Sequence, residues 1–153
     1  MKTIKSLALT LLSSVLITSM AFSQNYKATK IDASGQFTDG NGVKIGTVNK
    51  EKECVMDENG MKMSNTDAEG NIIDTKTGKK MGRIEKNGNF FYNFPESADG
   101  KKFTISVPSN GMCEVKDEMG NTVMLVHENY KAQAACAYHC AQMKKEGKSM
   151  KMK

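Results

Sequence analysis

The sequence predicts an all-β repeat fold followed by a single C-terminal α-helix. The first observation is a series of glycines spaced 18, 18, 22 and 20 residues apart, and the second is an apolar residue three positions after each glycine. The third is an alanine-rich segment near the C-terminus that contains no proline. Units of about 20 residues are too short to bury an apolar face alone, so they pack against one another. The glycines are Gly42, Gly60, Gly78, Gly100 and Gly120, and the apolar residues are Ile45, Met63, Met81, Phe103 and Val123.

Each repeat unit is predicted to be a β-hairpin. Short apolar runs flank turns such as 39–42, 57–60 and 117–120. In these turns an aspartate side chain can accept backbone hydrogen bonds, and the structural glycine can adopt a positive φ. Five hairpins supply about ten short strands; arranged radially, as blades are in a propeller, they would bury the Ile45-type side chains centrally. The predicted repeat domain is residues 24–127.

The N-terminal residues 1–23 are typical of a secretory signal peptide. Lys2 and Lys5 precede an apolar run from Leu7 to Ile17, and a small-x-small cleavage site ends at Ser23. The run is too short to span a membrane comfortably, and no second apolar stretch follows it. We therefore expect cleavage near Ser23, a periplasmic or secreted location, and no transmembrane segment in the mature chain.

The positive charge of the chain is concentrated at its C-terminus. The formal net charge is +5, and residues 131–153 carry six lysines against the single carboxylate of Glu146. A lysine tail without interleaved arginine or aromatic residues is typical of a solvated end rather than of a nucleic-acid surface. We therefore predict no nucleic-acid partner and a flexible lysine and methionine tail over residues 148–153.

The spaced units resemble the bacterial family of five-fold β-flower proteins. The resemblance rests on the pattern D-x-x-G-x-K-[IM]-G-x-[VI] behind a secretory signal, and it covers roughly residues 29–127. The second copy departs from the pattern at Ser64 and Thr66, and the fourth copy is longer than the others. The resemblance implies a five-fold hairpin fold and export, but it implies no established activity.

The repeat domain contains no recognisable catalytic motif. Residues 24–130 lack a nucleophile elbow, a phosphate-binding loop and an H-E-x-x-H zinc motif. His127 stands alone after an apolar run and is predicted to end a strand or begin a helix. We therefore predict that the protein is not an enzyme. It is predicted to be an exported scaffold or binding module without a cofactor, whose partner is an unidentified protein or envelope component.

A helix packed on the repeat domain is predicted over residues 128–147, ending at Gly147. At 100° per residue, Cys136, His139, Cys140 and Met143 fall on one face, which we expect to be buried against one end of the repeat domain. The alternative function is binding of a soft metal by these four residues. Thiolate, imidazole and thioether groups suit copper(I) or zinc.

The four cysteines are candidates for disulfide bonds, because an exported chain enters an oxidising compartment. A bond between Cys136 and Cys140, one helical turn apart, would be strained. If the repeats are in register, Cys54 and Cys113 point to opposite faces of equivalent strands, so at most one of them faces the helix. The sequence therefore allows one bridge and leaves its connectivity open.

Overall fold

The computed structural model describes residues 28–50, 54–57, 59–93 and 100–150. These residues form eleven strands, a 3₁₀ segment (Glu128–Gln133) and one helix, α1 (Ala134–Met150). The predicted signal peptide and residues 151–153 of the predicted tail lie outside the described residues. The strands are β1 (Thr29–Ile31), β2 (Gln36–Thr38), β3 (Lys44–Asn49), β4 (Cys54–Asp57), β5 (Lys62–Thr66), β6 (Asn71–Asp74), β7 (Lys80–Ile84), β8 (Phe90–Tyr92), β9 (Lys101–Ile105), β10 (Met112–Lys116) and β11 (Thr122–His127).

The eleven strands form one closed barrel. From β2 to β11 each strand is antiparallel to the strand that follows it, so neighbouring hairpins are hydrogen-bonded to each other. The additional strand, β1, pairs with β2 and lies parallel to β11, with Ile31 opposite Val126. That parallel pair closes the sheet and leaves no free edge. The described chain is therefore mostly β, with one C-terminal helix, as the sequence predicts at this level.

Aspartate side chains organise the hairpin turns. Oδ1 of Asp39 accepts hydrogen bonds from the backbone N–H groups of Asn41 and Val43, each at 2.9 Å, and Gly42 adopts a φ of 79°. A positive φ costs glycine little because it has no Cβ. Paired backbone contacts of the same kind are made by Asp32, Asp57, Asp67 and Asp117. Gly60, Gly78 and Gly120 also have positive φ, whereas Gly100 does not.

Four hairpins carry a β-bulge at equivalent positions. Between β2 and β3 the register shifts after Phe37, so that Ile45 is an extra residue on the second strand. A bulge bends its strand and increases the local twist, which helps a sheet to close. Equivalent shifts follow Val55, Ile72 and Val115. Of the apolar residues that follow the glycines, Ile45, Met81 and Phe103 are buried, and Met63 and Val123 are partly buried against the core.

Helix α1 runs through the interior of the barrel. Every residue from 133 to 141 is buried except Tyr138, which is partly buried. Nine consecutive helical residues point in all directions, so such a helix must be covered on every side. The ring of Tyr138 lies 4.5 Å from that of Phe103 on β9, while Cys136 contacts β5 across the barrel. The barrel wall and the helix therefore form one core.

This position differs from the expectation that one face of the helix packs against one end of the repeat domain. Alanine and cysteine dominate residues 134–141, and their small side chains let the helix lie within the surrounding strands. The helix also continues past Gly147 to Met150. Its small residues therefore face the barrel wall in several directions instead of forming one buried stripe.

The 3₁₀ segment leads the chain from β11 into the barrel. Nδ1 of His127 accepts a hydrogen bond from the N–H of Asn129 at 3.3 Å, which caps the segment. The ring of Tyr130 lies against Gly35 and beneath the ammonium group of Lys50, 5.0 Å from the ring centroid. We call the end of the barrel at which this segment lies the helix-start end. The opposite end, formed by residues 39–43, 59–61, 75–79 and 118–121, is the glycine-turn end.

Substituting Gly82 by alanine is expected to lower the free energy of unfolding by about 1–3 kcal/mol, because it overpacks the sheet. A Cβ at Gly82 on β7 would collide with the carbonyl oxygen of Phe91 on β8. Urea unfolding of Gly82→Ala measures the effect. Gly147→Ala is the matched control, because no described atom beyond its chain neighbours and its own helical backbone lies within 4 Å of its Cβ position. In a helix this change stabilises by up to about 1 kcal/mol; equal effects from the two variants would contradict the proposed clash.

Candidate functional site

A chain of hydrogen bonds crosses the interior from the barrel wall to the helix. The hydroxyl oxygen of Tyr92 lies 2.8 Å from Nδ1 of His139, and Nε2 of the same ring lies 2.8 Å from Oδ2 of Asp74. The three residues are 3%, 0% and 4% exposed, respectively. Buried polar groups need partners, and these three supply them to one another. We call Tyr92, His139 and Asp74 the buried polar chain.

The carboxylate of Asp74 is held in its charged form. Its Oδ1 accepts hydrogen bonds from the backbone N–H of Thr77 at 2.7 Å and from the Thr77 hydroxyl at 2.8 Å. Burial works to raise the pKa of Asp74, but the hydrogen bonds from His139 and Thr77 outweigh it and hold the pKa below its ordinary value. The carboxylate is therefore ionised at neutral pH and can accept a hydrogen bond from the ring of His139.

The phenol of Tyr92 is held in its neutral form. Burial raises the pKa of Tyr92 far above its ordinary value, so the hydroxyl keeps its proton. When the ring of His139 is neutral, the phenol donates to Nδ1, and Nε2–H then donates to the carboxylate of Asp74. The two hydrogen bonds thus fix one ring tautomer and one ring orientation.

Asp74 reaches the interior from a turn that is longer than its counterparts. Gly42 follows Asp39 by three positions, whereas Gly78 follows Asp74 by four. The N–H of Gly78 still donates to the carbonyl of Asp74 at 2.8 Å, so the turn remains closed. One carboxylate oxygen therefore serves the turn, as in the other copies, while the second binds the helix.

A second polar contact joins β5 to the helix. The hydroxyl of Ser64 donates to the carbonyl of Cys136 at 3.1 Å and lies 3.7 Å from the sulfur of Cys140. The hydroxyl of Thr66 lies 3.2 Å from the sulfur of Cys136. Burial raises the pKa of Cys140 to about 12, so this thiol is protonated at neutral pH. A buried, protonated thiol is a poor nucleophile, and here both thiols pack against hydroxyl groups.

The chemistry open to these groups is limited by their burial. A carboxylate that orients a histidine is also part of catalytic triads. In this structure, however, both ring nitrogens of His139 already have partners, and the ring is 0% exposed. A substrate could reach the ring only if the helix moved. The geometry therefore fits an anchor that sets the depth and rotation of α1 within the barrel.

The predicted metal ligands do not converge on one point. Cys136 and Cys140 face β5, whereas His139 faces β6 and β8, and Met143 lies one turn further along, partly buried. Among the residues that the structure describes, no group of three or more histidine, cysteine, aspartate or glutamate side chains could hold a metal ion. Metal binding by this set therefore stays a prediction.

The structure does not support the predicted disulfide. Cys113, Cys136 and Cys140 are buried, and no disulfide bond joins any two of them. The side chain of Cys54 lies outside the described part of the chain, although its backbone pairs with Asn49 and Asn65 in the barrel wall. Cys113 is buried on β10, and the sulfur atoms of Cys136 and Cys140 contact side chains of β5. Within the described residues the core is closed by packing rather than by sulfur bonds.

The thiols of Cys113, Cys136 and Cys140 are expected to be protected from thiol reagents in the folded protein. Each is 0% exposed, and burial raises the pKa values of Cys113 and Cys140. In a Cys54→Ser variant, a chromogenic disulfide reagent at pH 8 should therefore label almost no thiol until denaturant is added, and three thiols afterwards. Rapid labelling of the native variant would show that the helix does not stay inside the barrel.

The surface at the glycine-turn end offers more accessible features. A cavity of about 420 Å³ opens between the last turns of α1 and the β2–β3 turn. It is lined by polar groups that include Thr29, Asp39, Asn41, Lys144 and Lys145, and by apolar groups that include Ile45, Val123 and Ala141. Three large apolar side chains are also exposed in the turns of this end: Val43 (54%), Met61 (64%) and Met119 (83%).

Residue-by-residue motif searching missed Asp74, Tyr92, Ser64 and Thr66. The signal for them was present as breaks in the repeat. Ser64 and Thr66 stand where the pattern has glycine and an aliphatic residue, Asp74 begins the turn with one additional residue, and Tyr92 belongs to the lengthened fourth copy. The positions that depart from the repeat are thus the ones that contact polar atoms of the helix.

Comparisons with known proteins provide no assignment of family or function. No protein-family model, curated protein or solved structure matches the chain. The resemblance to five-fold β-flower proteins therefore stays a prediction. In the described part of the chain, none of the helices has the length and apolar character needed to cross a membrane.

Proposed function

We propose that the protein is an exported, non-catalytic binding module. The barrel and its internal helix are the scaffold, and the glycine-turn end contacts a partner in the cell envelope. One observation carries this proposal: α1 is buried inside the barrel from residue 134 to residue 141, so the helix occupies the space in which a barrel could hold a ligand. Barrels that carry small molecules keep this space open.

The exterior of the barrel is left as the contact surface. Among the described residues, five large hydrophobic side chains are exposed, and three of them lie in turns at the glycine-turn end. Single exposed apolar side chains are ordinary, but several at one end are typical of interaction sites. Loops carried on a rigid barrel are also the usual place for binding residues. The glycine-turn end is therefore the surface that we assign to binding.

We also propose that the barrel arose from five copies of one hairpin. Four register shifts at equivalent positions, and aspartate turns of the same geometry, support five related units. The paired residues of the fourth hairpin, β8 and β9, show no such shift. The fourth copy is also the one that is longer in the sequence. Its turn residues 94–99 lie outside the described part. Repetition would place five similar turns around one end and present one surface many times.

Export is part of the same proposal and rests on residues 1–23. N-terminal sequencing of the protein recovered from its native cells is expected to begin at Gln24. An N-terminus at Met1 in the envelope fraction would contradict export by a cleaved signal. This measurement is independent of the binding surface, because it reports only on processing.

Retention on envelope material tests the binding module. Purified mature chain should be retained by membranes or cell-wall material from the producing organism, and Lys62→Glu with Lys80→Glu at the glycine-turn end should reduce retention about tenfold or more. The matched control is Lys50→Glu with Lys86→Glu at the helix-start end, which should change it less than about twofold. Loss of retention only in the control pair would place binding at the other end, and no retention of the unaltered chain would refute the proposal.

The alternative, soft-metal binding, is supported by two thiols that lie one helical turn apart on α1, Cys136 and Cys140. The ring of His139 would have to leave both its partners to join them, so the thiols are the ligands that remain. Titration of reduced protein with copper(I) against a competing chelator tests this function. If Cys136→Ser with Cys140→Ser leaves the bound stoichiometry unchanged, the alternative is wrong.

A further inference from the structure

We propose that the glycine-turn end docks on an anionic lipid surface. The exposed side chains of Val43, Met61 and Met119 would enter the headgroup region, and the lysines around them would contact lipid phosphates. This inference rests on the proposed binding function and names its partner. It is carried by three features of the described residues: the position of the apolar side chains, the placement of the lysines, and the charge of the opposite end.

The three apolar side chains stand at the tips of separate hairpins. Because the strands alternate in direction around the barrel, the β2–β3, β4–β5 and β10–β11 turns all lie at one end. Val43, Met61 and Met119 are 54%, 64% and 83% exposed there. Separated apolar points on a rigid rim can each enter a soft lipid interface, whereas a protein partner would need a shaped pocket for each tip.

Exposed lysines lie beside the turns of this end. The first residue of each of four strands, β3, β5, β7 and β9, is an exposed lysine. Each lies one to two residues beyond its turn, so its ammonium group can extend to the plane that the apolar tips would enter. Near an anionic membrane each such charge attracts the surface, and several act together. The four residues are Lys44, Lys62, Lys80 and Lys101.

Several described carboxylates of this end are directed into the turns. Oδ1 of Asp57 accepts hydrogen bonds from two backbone N–H groups, at 2.9 and 2.7 Å, and Oδ1 of Asp117 does the same at 3.0 and 2.8 Å. Glu118 accepts a hydrogen bond from the N–H of Lys102 at 3.0 Å. These acidic groups are therefore held against the backbone, while the lysine side chains have the length to reach outward.

The helix-start end carries charges of both signs. Carboxylates of Asp67, Glu69 and Glu85 line a surface groove there, together with Arg83 and Lys86. A lysine-rich end opposite an end whose described charges nearly balance gives the molecule an electrostatic orientation in front of an anionic surface. The glycine-turn end would therefore approach the membrane first, which is the orientation that the apolar tips require.

Tryptophan reporters on the mature chain test the docking directly. The chain contains no tryptophan, so a single introduced indole reports its own surroundings. With vesicles that contain about 30 mol % phosphatidylglycerol, Met61→Trp should show a blue-shifted emission, and the shift should vanish with pure phosphatidylcholine or at high salt. Val107→Trp is the matched control, because Val107 is 81% exposed but lies in the β9–β10 connection at the other end. It should show no shift.

Vesicle sedimentation measures how strongly the chain binds the lipid surface. The combined variant Val43→Ser, Met61→Ser and Met119→Ser should bind anionic vesicles about tenfold or more weakly, and Val107→Ser should bind like the unaltered chain. Equal shifts of Met61→Trp and Val107→Trp, or equal binding to neutral vesicles, would overturn the inference. If the chain does not bind vesicles but is still retained on envelope material, the inference of a lipid partner is wrong and the proposed binding function is retained. If the chain neither binds vesicles nor is retained on envelope material, the proposed function is wrong as well.

Discussion

A chain that ends at Gln133 is expected not to fold. Removing α1 takes away the side chains on which the inward faces of the barrel pack, including those around the stacked pair Phe90 and Phe103, whose ring centroids are 5.0 Å apart. The barrel would then enclose a large apolar space, and cavities of that kind destabilise by far more than a domain's net stability. Circular dichroism and urea unfolding should show no cooperative transition in the truncated chain.

Adding the missing helix back gives the control for the truncation. A synthetic peptide of residues 134–150 should restore cooperative unfolding when it is mixed with the truncated chain, because binding of the helix is coupled to folding of the barrel. The same peptide with His139→Ala should restore it only at much higher concentration. A truncated chain that unfolds cooperatively at the original midpoint would show that the barrel does not need its internal helix.

Replacing His139 by alanine is expected to lower the free energy of unfolding by about 3–5 kcal/mol, the usual cost of leaving a buried charge without its partner. The variant leaves the carboxylate of Asp74 ionised, only 4% exposed, and supported by Thr77 alone. It also leaves the hydroxyl of Tyr92 without its bond to the ring. Urea denaturation of the purified mature chain measures the loss.

Two further variants test whether the stability lost in His139→Ala comes from the hydrogen bonds of the buried polar chain. Tyr92→Phe removes one hydrogen bond and leaves Nδ1 of His139 unpaired, so it should cost about 1–3 kcal/mol. His127→Ala removes a partly buried histidine that caps the 3₁₀ segment, and it should cost about 1 kcal/mol. Effects of His139→Ala and His127→Ala that are equal in size would contradict an energetic role for the buried polar chain.

Acid should weaken the protein through Asp74. Its pKa in the folded state lies below the ordinary value of 3.8, because the bonds from His139 and Thr77 overcome burial. The unfolded chain therefore takes up the proton first, so the stabilisation is complete above the ordinary value and is lost as pH falls through the folded one. In Asp74→Asn this contribution is absent. Other turn aspartates are common to both proteins, so the difference in unfolding free energy should shrink below pH 4; a constant difference would contradict this assignment.

The local elements of the fold were predictable from the sequence because local chemistry produces them. Gly42, Gly60 and Gly120 mark turns whose aspartate contacts involve residues no more than four positions apart. The helix was predictable from alanine content and the absence of proline. The strand β1 was not, because three residues without a turn of their own acquire a strand only by pairing with β2 and β11.

The buried polar chain was beyond motif analysis because its members lie far apart in the sequence. His139 is 65 residues from Asp74 and 47 from Tyr92. The sequence placed His139 beside Cys136 and Cys140 on a helix face, which suggested a metal site. In the barrel the same face is divided between β5 and the β6–β8 region, so the thiols and the ring have different neighbours.

The sequence by itself determined the hairpin turns, the spacing of the apolar residues and the presence of a C-terminal helix of small residues. Only the tertiary structure decided that the sheet closes and that the helix lies inside it. The physical reason is that closure and insertion depend on each other. The inward side chains of an eleven-stranded barrel must pack against something in its interior, and a helix that is buried on every side must be surrounded by strands. Neither requirement is visible within one repeat, since each is met only by residues from distant parts of the chain.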